Sequence, residues 1–343
     1  MRGTLERVGG VDLDARVVVL ATDVGWASLL PGQRVRTVAR LAEPRPGDLT
    51  AAVLRVRGAP EHLGEPPWAQ RAAGRLRAGL QDAAQPLPDE PGGLLPGLVI
   101  GDTSRLDQAL AEDFRATGLT HLVAVSGANV AIILAVVLAV CRRCRAGPWV
   151  CVAVCALVLV GFVILARPSP SVLRAAAMGA VGLLALGTGR RRAAAPTLAA
   201  AVFVLVLVDP DLARDPGFAL SALATGGLIL LAPRWRDALA ARRVPGVLAE
   251  ALAVPAAAQV ACGPVVAALS GTVSAVAVPA NMLAVPAVAP ATLLGVLAAT
   301  VSPVCPPLAE FLAWLASWPA RWLVAIAHRG RTCRRATCRG PRV

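Results

Sequence analysis

The chain contains no lysine and no tyrosine, so all 34 of its basic side chains are arginine. Aromatic residues make up 3% and charged residues 16% of its 343 positions, against roughly 25% charged in a soluble domain. With 56% hydrophobic residues, such scarcity of charge excludes an ordinary soluble core. It fits helices that are apolar on nearly every face, as a bilayer requires. No secretory leader is expected in Met1 to Gly10, which is polar and has no apolar segment. The eight cysteines make no disulfide framework. Cys151, Cys155, Cys262 and Cys305 lie in or beside apolar stretches, where cysteine behaves as a small hydrophobe. Cys141 and Cys144 form a C-x-x-C pair, and Cys333 and Cys338 lie in the tail at a spacing that does not suit a zinc knuckle. No metal and no cofactor is expected. The formal charge of +13 fits arginine-rich cytoplasmic loops before it argues for nucleic acid.

Residues 1–60 have a different texture from the rest. Val17–Leu20, Arg34–Val38 and Ala51–Val56 are short β-type runs, and Pro31-Gly32 and Pro46-Gly47-Asp48 separate them as turns. A small β region is expected there. Residues 61–118 are expected to hold a surface helix near Trp68 to Asp82 and then a Pro/Gly-rich linker, Pro86 to Gly97. Arg71, Arg75 and Arg77 on that helix suit a membrane surface. From Leu119 the chain becomes apolar. Spans are expected at Leu119–Val140, Pro148–Ala166, Ser171–Gly189, Ala193–Val208, Gly217–Ala232 and Val247–Ser270. A longer stretch, Val273–Val301, is interrupted by Pro279, Pro286 and Pro290, and Pro307–His328 is the last. Several fall short of the ~20 residues of a straight span. The fold class is therefore mainly α: a polytopic membrane bundle of about seven or eight spans or half-spans over residues 119–328, with a basic tail at 329–343. Interrupted membrane helices are tolerated where they line a watery cavity, so Val273–Val301 is expected to border a pathway.

Loop charge orients the bundle. Arg142, Arg143 and Arg145, then Arg190 to Arg192, then Arg234, Arg236, Arg242 and Arg243 mark three cytoplasmic loops. The loop with Asp209, Asp211 and Asp215 should lie outside, which also places the N-terminal region outside the cytoplasm.

Polar side chains within apolar stretches are the candidate site residues, because they are costly in hydrocarbon unless they meet partners or water. They are His121, Ser126, Asn129, Arg174, Asp215, Ser221, Gln259 and Asn281. Helix–helix hydrogen bonding is the competing role, and Gly118, Ala124, Gly127 and Ala128 would permit the close approach it needs. A hydrolytic dyad of His121 and Ser126 is not expected, because on one helix they would sit roughly 140° apart. Asp215, before Pro216 and Gly217, is placed to cap a helix. Arg174 is placed to contact phosphate or to pair with Asp215.

The segments Gly97–Asp102, Phe114–Val130, Pro170–Met178, Asp209-Pro210 with Asp215–Ser221 and Ala224-Thr225, and Pro279–Pro286 occur in that order. In these segments the chain resembles the ComEC-type competence proteins, which internalise DNA in natural transformation. Two departures stand out: Ser126-Gly127-Ala128-Asn129-Val130 where the family often has SGLHV, and Phe218-Ala219-Leu220-Ser221 where it often has FQLS. The resemblance implies that the β region is OB-like, a fold that commonly binds single strands. It also implies a multi-pass cell-membrane channel that passes single-stranded DNA and is not itself an enzyme. No His/Asp cluster of the family's metallo-β-lactamase-like nuclease domain follows His328. The implied partners are DNA, the lipid bilayer, a competence DNA receptor, a cytoplasmic DNA-translocation ATPase and further copies of the chain. Two alternatives stay open: a transporter of another polyanion or lipid headgroup, and a truncated remnant.

Overall fold

A computed structural model describes residues 2–8, 11–23, 25–26, 29–43, 51–123, 125, 127–167, 170–187, 194–270 and 276–338. The chain divides into two compact units, Met1–Gly74 and Arg75–Val343. In the first, β1 (Arg2–Val8), β2 (Val11–Ala21), β5 (Ala52–Val56) and β4 (Ala39–Ala42) form a sheet in that order. β2 and β5 run parallel, pairing Val19 with Leu54, and the outer pairs are antiparallel. β3 (Val35–Arg36) and β6 (Glu61–His62) form a separate ribbon. Alternation fixes which face is inside: Leu54 and Val56 are buried and Arg55 is exposed. With Val17, Trp26 and Leu29 they make the core, and the Trp26 indole donates to the Gly58 carbonyl at 2.8 Å. The expected β region is thus present, extended by β1 and β4 beyond the three runs that patterning picks out.

The second unit is helical: α1 (Trp68–Ala83, in which the boundary falls), α2 (Asp89–Ile100), α3 (Gln108–Ala116), α4 (Thr120–Val123), α5 (Gly127–Arg143), α6 (Pro148–Ala166) and α7 (Pro170–Gly187). Then come α8 (Ala194–Val208), α9 (Pro216–Leu230), α10 (Ala232–Ala241), α11 (Gly246–Ser270), α12 (Ala277–Val301) and α13 (Pro306–Cys338). Among the described residues, four helical runs are long and apolar enough to cross a membrane: Pro148–Ala166, Pro216–Ala241, Leu248–Leu269 and Ala277–Val301. Two shorter apolar helices, Val172–Leu183 and Ala194–Val208, accompany them. Spans and half-spans coexist, as expected.

Four expectations need correction. The expected linker, Pro86 to Gly97, is largely α2, which is buried from Pro91 to Ile100. Its glycines serve close packing rather than flexibility. A Cβ on Gly93 would overlap the Arg105 carbonyl, and one on Gly97 would press on Val123 O at 3.3 Å. The expected first span is split, because α4 ends at Val123 and α5 begins at Gly127. The expected interrupted stretch is instead the continuous helix α12, of 25 residues, about 37 Å at 1.5 Å per residue. Pro286 and Pro290 are accommodated inside it. The Trp322 indole, from α13, donates to the Leu283 carbonyl at 2.9 Å, three residues before Pro286. Finally, Pro307–His328 lies in α13, which is not among the runs apolar enough to span. Glu310, Arg321 and Pro319 interrupt its apolar character.

α12 and α13 meet along a seam of small residues. Ala280, Ala284, Ala287 and Ala291 on one helix, and Ala309, Ala313, Ala316 and Ala320 on the other, are buried at three- and four-residue spacing. Small side chains let two helix backbones come close, which supplies van der Waals packing where lipid offers no hydrophobic drive. The opposite face of α13 exposes Phe311, Trp314, Trp318 and Trp322.

Candidate functional site

Helix ends converge where the first apolar stretch is split. α2 terminates at Gly101, whose φ of 71° is the left-handed value that favours glycine. A Cβ there would lie 3.1 Å from the Val125 side chain, between α4 and α5. The last turn of any α-helix leaves its carbonyls without helical partners, and side chains take up these. Asn129, in the first turn of α5 and 3% exposed, donates Nδ2 to Leu98 O at 2.8 Å. Arg77 of α1 donates Nη1 to Ile100 O at 2.7 Å and to Leu165 O of α6 at 2.9 Å. Its Nη2 lies 3.7 Å from Asp102, and the Asp102 side chain accepts from the Ser104 amide at 3.0 Å and from Gln81. Burial alone would raise the Asp102 carboxyl, but the Ser104 amide and hydroxyl, Arg77 and Gln81 together hold it below the ordinary carboxylate value. Arg77 was expected at the membrane surface. It is instead a buried cation on the negative ends of two helices, where the macrodipole favours it.

Arg174 is placed differently. It is the fifth residue of α7 and is 4% exposed. Among the described residues its Nε and Nη1 have no hydrogen-bond partner. Its Nη2 lies against the first residue of α5: a Cβ on Gly127 would be 3.3 Å from it and 3.3 Å from Ala175 Cβ. The guanidinium is therefore buried beside the positive end of α5, carried from the second turn of α7.

The remaining candidates are dispersed. His121 is exposed on the short α4, and Ser126 lies outside the described residues, as do Arg190 to Arg192. Asp215 caps α9, accepting from the Phe218 amide at 2.7 Å, and makes no ion pair with Arg174 among the described residues. Ser221 is half-buried on α9, and its carbonyl accepts from the Thr225 hydroxyl at 2.9 Å. Gln259 is half-buried on α11 between Pro255 and Pro264. Asn281 donates to Ala277 O, one turn back on α12, at 2.9 Å. Of the eight, Asn129 and Arg174 flank the same helix start.

Sequence patterning missed one polar cluster. Asp113 of α3 is 3% exposed and accepts from Arg331 of α13; its other oxygen lies 2.7 Å from His328 Nδ1. His328 Nε2 lies 3.0 Å from Glu90 of α2. The hydrogen bond that His328 donates to Asp113, set against desolvation and helped by Glu90, raises the imidazole above its ordinary value. The available signal was Asp113 itself, an acid between Leu110 and Phe114 on the apolar face of its helix. Among the described residues no group of His, Cys, Asp and Glu is arranged to hold a metal ion.

No solved structure matches the chain. ComE operon protein 3 of Bacillus subtilis (strain 168) is 29% identical over 248 residues, which cover 70% of this chain and 31% of that protein. The chain therefore spans under a third of the length of the curated relative it matches. Residues 98–335 match the competence protein family, and this stretch, holding α3 to α12 with all eight candidate residues, places the chain in that family.

Proposed function

We propose that the chain forms part of the passage through which DNA crosses the cell membrane during natural transformation, as a single strand. The observation that carries the reading is Arg174: a buried guanidinium with two nitrogens unpartnered among the described residues, inside the family-matched stretch. A polyanion crossing hydrocarbon needs fixed positive charge and helix-end dipoles to replace its counterions. Family membership supports a role in competence, and the ordered motifs support DNA as the cargo. A single strand demands a narrower passage than a duplex, whose grooves alone admit a helix.

In this reading Arg174, Ser221 and Gln259 border the passage, with His121, Ser126 and Asn281 as further lining residues. Asn129 and Asp215 set the helix ends that shape it. The arginine-rich loops face the cytoplasm and the N-terminal unit, read as OB-like, faces outward. A DNA receptor, a translocation ATPase and further copies of the chain are the partners this arrangement calls for. No catalytic step is assigned to these residues.

The test is allelic replacement at the locus that encodes the chain, with labelled-DNA uptake and transformant frequency as readouts. Deleting the locus should abolish uptake, and Arg174→Gln should lower it by about tenfold or more, as expected for losing one charge-assisted phosphate contact, at unchanged membrane abundance. Normal uptake in the deletion strain would end the reading. Normal uptake in Arg174→Gln alone would remove Arg174 from the passage. A passage for another polyanion would show as intact DNA uptake in the deletion strain together with loss of that solute's flux.

A further inference from the structure

The start of α5 and the Arg174 side chain together form more than a charged wall. We propose that they make one built binding station for a single phosphodiester anion, the chemistry shared by a nucleic-acid backbone and a phospholipid headgroup. The station rests on the passage reading for its biological cargo, but its anion chemistry stands on geometry.

Two independent features point to the same spot. The first is the helix start. α5 runs for 17 residues from Gly127, and the opening amides of any α-helix have no partner within the helix and carry the positive end of its dipole. The second is the guanidinium. Arg174 is 4% exposed, it has unpartnered Nε and Nη1 among the described residues, and its Nη2 is held against Gly127. A guanidinium is charged at any ordinary pH and presents a planar fork of donors suited to two oxygens of one phosphate. Among the described residues no carboxylate pairs with it.

A positive group placed where a helix end already opposes it is what an anion site requires and what a structural arginine avoids. Gly127 is part of the construction. A side chain there would meet both Arg174 Nη2 and Ala175 Cβ at 3.3 Å, so glycine lets the guanidinium lie beside the helix start. Asn129, tied to Leu98 O, fixes the first turn of α5 against the end of α2.

The chain purified in dodecyl maltoside, which carries no phosphate, tests the station. The probes are thymidylyl-thymidine and short-chain phosphatidylglycerol, followed by phosphorus NMR, with thymidine as the uncharged control. Saturable binding of either phosphodiester is expected. Arg174→Gln should weaken it by about tenfold or more and Arg174→Lys should retain part of it, since lysine keeps the charge but not the fork. Gly127→Ala should weaken it by displacing the guanidinium; if Arg174→Gln does not fold, this variant decides. Binding of the lipid alone upholds the anion station and removes DNA from it. Failure of both phosphodiesters to saturate, or equal binding by Arg174→Gln or by Gly127→Ala, overturns the station. The two readings separate cleanly. Loss of uptake in Arg174→Gln without phosphodiester binding by the wild type refutes the station alone. Loss of binding with normal uptake refutes the passage role alone.

Discussion

Replacing Asp113 with asparagine should loosen the attachment of α13 to α2 and α3. The carboxylate is 5% exposed at its side chain and faces two cationic partners, Arg331 at 30% and His328 at 44%. Removing one member of a fully buried ion pair costs about 3–5 kcal/mol, because the other charge is left without a partner. Here both partners reach water, so solvent screens much of the loss. A cost of about 2 kcal/mol is a fair expectation. For a unit of this size, 1 kcal/mol moves the melting temperature by roughly 2–4 °C, so Asp113→Asn should melt about 4–8 °C lower in detergent, read by tryptophan fluorescence. The pH dependence adds a second signature. His328 is raised above its ordinary 6.5 in the folded chain. A group raised on folding contributes stability that is fully present below its unfolded value and is lost as pH rises through the folded one. The wild type should therefore lose melting temperature as pH climbs above 6.5, and Asp113→Asn should flatten that slope. A variant with the wild-type melting point and the same pH slope would show that the cluster does not hold α13 in place.

Two further changes test the packing and the helix ends. Gly295→Ala would place a Cβ in overlap with the Val99 side chain, and such overpacking costs about 1–3 kcal/mol; a second change, Val99→Ala, should restore part of the loss, and additive damage would refute the contact. Asn129→Leu removes the donor to Leu98 O, which costs about 1–3 kcal/mol for a buried acceptor left unpaired. Its melting point should fall while phosphodiester binding persists at a lower affinity; binding lost outright at an unchanged melting point would make Asn129 a ligand rather than a strut.

The membrane character of the chain is legible because it is a property of composition. α6 begins and ends at the residues its apolar run suggests, Pro148 and Ala166. Two of the corrected stretches share one cause, because local rules treat glycine and proline as chain breakers. Gly92, Gly93 and Gly97 look like a linker from local rules. In the fold they admit the Ala84, Arg105 and Val123 carbonyls against a buried helix. Pro286 and Pro290 look like breaks, but a long α12 packed on α13 absorbs them. Local propensity is overridden wherever tertiary packing provides the missing partners. The Asp113 cluster was illegible for a different reason, since His328 lies 215 residues from Asp113 and 238 from Glu90, and no pattern in one sequence pairs positions so far apart.

Arginine was the most informative residue type, and the two largely buried arginines show why sequence alone could not assign their roles. Arg77 and Arg174 both come from stretches where a charge is conspicuous. Arg77 meets the carbonyl ends of α2 and α6, with Asp102 as its counterion, so helix polarity and an acid together offset the cost of its burial. Arg174 meets the amide end of α5 and finds no acceptor for Nε or Nη1 among the described residues. The same side chain is thus stabilised by helix polarity at one site and opposed by it at the other, and helix polarity depends on which helices pack together. A fold that only needed to bury an arginine would use the first arrangement twice. Retaining the second makes sense where the guanidinium has to stay available to an anion that arrives and leaves, because a permanent internal counterion would compete with that cargo for the same donors.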